Sequence, residues 1–123
     1  MIELSYNFVF CTRYRFKLFK NKETADNIKS IFLEAVKEMK MEMSDFSYGI
    51  DYVNVNVKTN ISTISPNQIA YSLRGNTSAM IREYEMLNLH HMPSIWIRDV
   101  ITSTSKIEHS TIDAFLSLQK KRS

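Results

Sequence analysis

The apolar residues of this chain recur with two different periods, and the order of these periods restricts the folds that it can adopt. Tyr6, Phe8 and Phe10 alternate with their neighbours, which predicts a strand from Leu4 to Thr12 with at least one buried face. Farther along, apolar residues recur every three or four positions, which predicts an amphipathic helix. Its apolar positions are Ile28, Ile31, Phe32, Ala35, Val36 and Met39. The chain therefore begins with a strand followed by a helix.

Two alternating segments come next and predict a hairpin. The first set of alternating positions is Phe46, Tyr48 and Ile50, and the second is Val53, Val55 and Val57. Gly49 lies near the connection between the two segments, where a turn is needed.

A second helix is predicted from its first residues. Ser65 is a favourable N-cap, Pro66 suits the first helical position, and Gln68 can reach back to complete a capping box. The helix should extend to about Tyr84. Gly75 lies within it and costs roughly 1 kcal/mol relative to alanine, so we expect a bend there or the close approach of another group to the backbone.

The last third of the chain predicts a fourth strand and a final helix. The strand spans residues 94–104, and its alternation is broken near Asp99. Ser110 or Thr111 should open the helix, and the residues of one helical face are Ile112, Phe115, Leu116 and Gln119.

The order of the elements predicts an α+β fold. It is a ferredoxin-like β-α-β-β-α-β sandwich, an antiparallel sheet with helices on one face, plus a C-terminal helix. With 123 residues, the chain should form a single domain over residues 1–123.

Composition restricts the partners and the location. The formal charge is +3 and the pI about 9.0, which is compatible with a polyanionic partner. Neither a membrane span nor a signal peptide is visible, so we expect a cytoplasmic protein.

The cysteine and histidine residues do not predict a metal site. Cys11 is the single cysteine, which excludes an internal disulfide and a cysteine-built metal site. His90, His91 and His109 lack the spacing of metal ligands and are expected in surface loops.

Four segments, taken in order, resemble one known family. Residues 6–19, YNFVFCTRYRFKLF, resemble a family strand that reads H-x-V-W-C-T-K-Y-R-x-x-x-F. Residues 73–84, LRGNTSAMIREY, resemble L-K-G-x-S-S-x-x-x-R-x-x-[FY], and residues 115–119, FLSLQ, resemble Y-I-x-x-Q. Trp96 stands where a tryptophan often opens the last strand. The family is that of the single-tyrosine HUH transposases of the smallest insertion sequences, the IS200-like transposases.

The resemblance implies a chemistry that several residues of this chain do not match. Such enzymes hold a divalent metal with two histidines on one strand face, and a tyrosine attacks the scissile phosphate. Here Tyr52 and Asn54 stand at the histidine positions, or Asn54 and Asn56 if the register is shifted by two. Phe115 stands at the nucleophile position, and Gln119 is retained. We therefore expect a homologue that is not an enzyme, with no metal and no cofactor.

The function that remains is nucleic-acid binding, because family members are dimers that recognise imperfect hairpins of single-stranded DNA. The residues at matching positions are Arg13, Arg15, Lys17, Arg74, Thr77, Ser78 and Arg82. We expect a homodimer that binds hairpin or single-stranded nucleic acid, DNA rather than RNA, as a regulator derived from a transposase. The alternatives are an active transposase or nuclease with an atypical site, and a protein-interaction module.

Overall fold

The computed structural model describes residues 3–60, 64–83 and 94–119. Four strands are present in this part of the chain, β1 (Leu4–Thr12), β2 (Glu42–Tyr48), β3 (Tyr52–Thr59) and β4 (Trp96–Ser103). The helices described are α1 (Lys22–Glu38), α2 (Pro66–Arg82) and α3 (His109–Ser117). None of these helices is both long and apolar enough to cross a membrane.

The strands form one sheet in the order β2-β3-β1-β4, and all neighbouring strands are antiparallel. This order, with α1 between β1 and β2 and with α2 between β3 and β4, confirms the predicted ferredoxin-like fold. Strand β1 was predicted with its observed bounds. Strand β2 begins four residues earlier than the predicted alternation, because Glu42 and Met43 already pair with β3.

The two faces of the sheet are covered by different helices. On one face, Phe8 and Phe10 of β1 pack with the apolar stripes of α1 and α2 in the main core. On the other face, Val9 and Cys11 pack against Ile112 and other residues of α3 in a smaller core. Because successive side chains of a strand point to opposite faces, one segment of β1 contributes to both cores. The sequence had not assigned a face to the C-terminal helix.

The helix starts follow local capping, with one difference from the sequence analysis. Ser65 and Gln68 form the predicted capping box, in which Ser65 Oγ accepts from Gln68 N at 3.2 Å. Asn21 caps α1 by accepting from Thr24 N at 2.8 Å. The prediction that Ser110 or Thr111 opens α3 is wrong, because the helix begins at His109 with Glu108 in the N-cap position.

Strand β4 contains a bulge at the place where the predicted alternation is broken. Thr12 is paired with Trp96 and Phe10 with Val100, so two steps along β1 correspond to four along β4. Extra residues in one strand interrupt the ladder and redirect side chains. Arg98 and Asp99 lie within this bulge of an edge strand, and both are exposed.

Helix α2 continues through Gly75 without a break, contrary to the expected bend. A Cβ built on Gly75 meets no atom within 4 Å, whereas one built on Gly49 collides with the ring of Tyr52. Neither glycine has a positive φ. The glycine that another group approaches closely is thus Gly49, next to the Tyr52 ring. Within the described residues, Gly75 faces open space.

We therefore expect the same substitution to have opposite effects at the two glycines. Gly75→Ala should raise the free energy of unfolding by up to about 1 kcal/mol, because it removes the helical cost of glycine without a clash. Gly49→Ala should lower it by about 1–3 kcal/mol, because the Tyr52 ring must move. Urea denaturation of both variants measures the difference. A destabilised Gly75→Ala monomer would contradict the open environment described here.

Candidate functional site

Four of the seven predicted nucleic-acid-binding residues converge on the first residues of β4. Arg13, Arg74, Thr77 and Ser78 each form a hydrogen bond within the segment 94–97. We call this group, together with residues 94–97, the β4-start cluster. It joins the end of β1, the middle of α2 and the beginning of the edge strand. Three of the four matched sequence features, residues 6–19, residues 73–84 and Trp96, therefore meet at one place in the fold, whereas residues 115–119 lie apart from it.

The hydroxyl groups of Thr77 and Ser78 point into the protein. Thr77 donates to the carbonyl oxygen of Leu73 and accepts from Trp96 Nε1 at 2.9 Å. Ser78 Oγ accepts from the backbone N–H of Ile95 at 2.8 Å. Thr77 is fully buried and Ser78 nearly so. In this structure both hydroxyls hold β4 against α2, and the phosphate contact predicted for them stays a prediction.

The two arginines of the cluster are oriented by the same strand. Arg13 donates through Nε to the carbonyl oxygen of Ser94 at 3.2 Å, and Arg74 donates through Nε to that of Ile97 at 3.0 Å. A guanidinium has five N–H donors, so each bond uses one and leaves the Nη groups for a second acceptor. One acceptor, Ser94, precedes β4, and the other, Ile97, is its second residue. The cluster thus presents two oriented cations beside the sheet edge.

Arg15 is committed to an ion pair. Its Nε lies 2.9 Å from Oδ2 of Asp51, a carboxylate that is almost completely buried in the turn between β2 and β3. Arg15 and the preceding Tyr14 both have left-handed backbones, with φ of 53° and 59°. This conformation costs about 1–3 kcal/mol for a residue other than glycine and persists where surrounding contacts hold it. The ion pair is one such contact. The neighbouring Tyr14 is 43% exposed.

The remaining predicted cations surround the same end of the sheet. Lys17 is exposed beyond the turn, and Arg82 is half-buried in the last turn of α2. Four of the large apolar side chains that are exposed on the described surface also lie at this end of the strands. They are Tyr14, Phe16, Tyr48 and Ile50. Aromatic rings among cations suit base stacking combined with phosphate neutralisation.

The positions that the resemblance assigns to catalysis lie on the other face of the sheet. Tyr52 and Phe115 both pack against the small core between β1 and α3. Burial raises the pKa of the Tyr52 hydroxyl, and the carboxylates of Asp113 and Asp51 raise it further. Gln119 donates to the carbonyl oxygen of Phe115 at 2.9 Å and so caps the end of α3.

The donors on this face do not fit a metal held by two imidazoles. Asn54 lies beside Tyr52, and a neutral phenol and a neutral amide are poor ligands for a transition metal. In the shifted register, the Asn56 amide already donates to Ser5 Oγ and Asn7 Oδ1, each at 3.0 Å. Within residues 3–60, 64–83 and 94–119, no group of three or more His, Cys, Asp or Glu side chains is placed to hold a metal.

The histidines do not supply these ligands in the described part of the chain. His109 is the first residue of α3, rather than part of a loop as predicted. His90 and His91 lie outside the described residues, as do Tyr84 and the basic residues 120–122.

The fold and the arrangement of cations define a ferredoxin-like α+β protein with a candidate nucleic-acid surface. The family model described as "Transposase IS200 like" matches residues 1–117. The chain therefore belongs to the IS200-like transposase family. No curated protein matches the sequence significantly.

Two solved structures have a similar fold. A candidate transposase from Deinococcus radiodurans R1 has a TM-score of 0.84 at 18% identity, covering 99% of this chain and 95% of that one. A REP-associated tyrosine transposase bound to a REP hairpin has a TM-score of 0.58 at 5% identity, covering 89% of this chain and 61% of that one.

Family membership corrects one prediction from the sequence. The expectation that the chain is not an enzyme is wrong, because the match over residues 1–117 places it in a family of enzymes. The substitutions at Tyr52, Asn54 and Phe115 were interpreted as loss of activity. That step relied on aligned positions alone, and neither the fold nor the family match shows that catalytic residues are lost.

A test of the buried hydroxyls separates a structural role from a contact role. Ser78→Ala should lower the free energy of unfolding by about 1–3 kcal/mol, because the buried N–H of Ile95 loses its acceptor. Ser72→Ala on the exposed face of the same helix should change it by less than about 0.5 kcal/mol. Urea denaturation measures both. Unchanged stability in Ser78→Ala, together with weakened nucleic-acid binding, would instead indicate direct contact.

The environment of Cys11 leads to a prediction about its reactivity. Burial raises the pKa of the Cys11 thiol to about 12, with a further increase from Asp51 and an opposing decrease from Arg15. A thiol with this pKa contains roughly 1000-fold less thiolate at pH 8 than one with a pKa of 9. We expect the native protein to resist iodoacetamide at pH 8 and to react at the rate of free cysteine in urea. Mass spectrometry of timed samples measures both rates, and rapid native labelling would show that α3 does not shield the thiol.

Proposed function

We propose that this member of the IS200-like transposase family binds a hairpin of single-stranded nucleic acid, with DNA preferred to RNA. The main supporting observation is the pair of oriented guanidinium groups in the β4-start cluster. Arg13 and Arg74 are held by one N–H each and keep further donors for phosphate oxygens. Orientation before binding reduces the side-chain entropy that is lost when a complex forms.

The proposed surface extends from the cluster across the turn after β1. Lys17 adds an exposed charge, and the rings of Tyr14 and Phe16 add exposed aromatic area. Aromatic side chains stack on unpaired bases of any sequence, whereas cations contact the backbone. The solved relative bound to a REP hairpin supports a hairpin as ligand, since it shares the fold. Thr77, Ser78 and Arg15 support the surface from within.

Binding as a homodimer is part of the proposal. A dimer would place two such surfaces in one particle, and imperfect hairpins at two ends of a DNA segment could then be held together. Sedimentation with and without hairpin measures the subunit number. The cytoplasmic location and the single domain over residues 1–123 stay predictions.

Strand cleavage and transfer, the family's own reaction, is the second candidate function. Family membership favours it. Tyr52 is the tyrosine that packs beside Phe115 under α3, and its raised pKa disfavours the phenolate that a nucleophile needs. A tyrosine adduct with DNA, located by peptide mass spectrometry, would identify the nucleophile.

The experiment titrates labelled DNA and RNA hairpins with the purified protein and manganese, and follows binding and covalent adducts in the same samples. We expect affinity to fall steeply with salt, because cations on the protein release counterions from the phosphates. No binding of any hairpin at low salt would contradict the proposal and favour a protein-interaction module.

Substitution of exposed lysines tests which face of the protein makes the contact. Lys17→Ala should weaken binding and reduce the salt slope by about one. Lys37→Ala is the matched control, because Lys37 is exposed in the last turn of α1, outside the proposed surface. Equal effects of the two substitutions would show that binding depends on net charge and not on this surface.

A further inference from the structure

The turn after β1, residues 13–18, is fastened at both of its ends to the turn between β2 and β3. At the first end, the backbone N–H of Thr12 donates to the carbonyl oxygen of Asp51 at 3.0 Å. At the second end, the N–H of Phe19 donates to the carbonyl oxygen of Ile50 at 3.1 Å. These bonds join backbone groups, so they fix where the turn begins and ends and not the conformation of its middle residues.

The middle of this turn is held by a charged side chain. Tyr14 and Arg15 both have left-handed backbones, a conformation that residues other than glycine rarely adopt. Arg15 Nε lies 2.9 Å from Asp51 Oδ2, so the ion pair acts directly on one of these two residues. The carboxylate of Asp51 is almost completely buried, whereas the Arg15 side chain is partly exposed. The buried acid therefore anchors an arginine that lies nearer to the surface.

The position of this acid leads to two opposite expectations for nucleic-acid binding. Asp51 pairs with Arg15 within the proposed surface, and a negative charge close to phosphate lowers affinity. Charge alone therefore predicts that removal of the carboxylate strengthens binding. The geometry predicts the reverse, because Arg15 lies in the chain between Tyr14 and Phe16, whose rings are both exposed.

We propose that Asp51 is a positioning residue for nucleic-acid binding and that it acts through Arg15. The ion pair holds the turn after β1 in the conformation that presents Tyr14 and Phe16 to the ligand. The Arg15 guanidinium serves this purpose and does not contact phosphate. The inference rests on the proposed function and adds to it a residue outside the predicted binding set. A surface that is ordered before binding loses less conformational entropy in the complex.

The test measures the affinity of a labelled DNA hairpin by fluorescence anisotropy for two variants that each lose one carboxylate. Asp51→Asn should weaken binding by roughly tenfold, a loss that corresponds to the ordering of two side chains in the complex. Asp26→Asn is the matched control, because Asp26 is exposed on α1 and its replacement changes the net charge equally. The control should bind as tightly as the wild type or slightly more tightly. Stronger binding of Asp51→Asn would overturn the proposal.

A double variant, Arg15→Ala/Asp51→Ala, separates positioning from charge. It keeps the net charge of the wild type and leaves no buried charge without its partner. We expect the same tenfold loss of affinity with an unchanged salt slope, because Arg15 makes no phosphate contact. A salt slope reduced by about one would show that Arg15 contacts phosphate directly and would overturn the proposal. Wild-type affinity of the double variant would overturn it as well.

Hydrogen exchange followed by mass spectrometry distinguishes local positioning from a general role in folding. In the absence of ligand, exchange in residues 12–19 should be faster in Asp51→Asn and in the double variant. The amide of Phe16 is one reporter, because it donates to the carbonyl oxygen of Arg13 at 3.2 Å. Peptides from α1 and α2 should exchange at the wild-type rate. Faster exchange throughout the chain would show a folding role and overturn the positioning role.

The outcomes separate this inference from the proposed function. Salt-dependent binding of the wild type, with no loss of affinity in Asp51→Asn or in the double variant, overturns the positioning role and leaves hairpin binding intact. Failure of the wild type to bind any hairpin overturns both proposals.

Discussion

The burial of strand β1 on both faces is the constraint on which the rest of the structure depends. Phe8, Val9, Phe10 and Cys11 have no exposed surface, and they alternate between the main core and the core under α3. Full burial of a large apolar side chain contributes about 1.5–3 kcal/mol. Because β1 lies between β3 and β4, residues 8–11 fix the register of both neighbouring strands. Val9 and Cys11 also fix where α3 packs along the sheet. A shift by one residue would exchange the two cores.

The elements of the fold were predictable where local pattern and tertiary packing agree. The alternation along β1 and the capping box at Ser65 gave the element and its start, because these signals depend on adjacent residues. The start of α3 was missed because Glu108 occupies the N-cap position without a side-chain bond. Gly75 was interpreted as a bend or as a site of close approach, but α2 is continuous there and nothing in the described chain approaches it. Sequence alone cannot show what surrounds a glycine.

The sequence predicted which residues belong to the candidate site, but it did not predict how their side chains are oriented. The family motifs identified Arg13, Arg74, Thr77 and Ser78, yet they could not show that the hydroxyls point inward while the guanidiniums remain partly available. Which groups point inward depends on how residues 94–97 pack against α2. That packing joins parts of the chain that are distant in sequence, so local sequence patterns do not show it. A groove of about 250 Å³ between α2 and β4, lined by Tyr71 and Arg98 among others, was not predicted either, because it is formed by residues that are distant in sequence. Interpretation of aligned positions as a loss of chemistry went beyond what such positions establish.

The linkage between α2 and the start of β4 has a consequence for how related sequences can diverge. The Thr77 hydroxyl accepts from the Trp96 indole, and the Ser78 hydroxyl accepts from the backbone of Ile95. A change at position 77 therefore alters the surroundings of position 96, whereas a change at position 78 cannot be offset by any side chain at 95. Substitutions at positions 77 and 96 should therefore occur together in related sequences. Position 78 should keep a small side chain that accepts a hydrogen bond wherever this edge strand is kept.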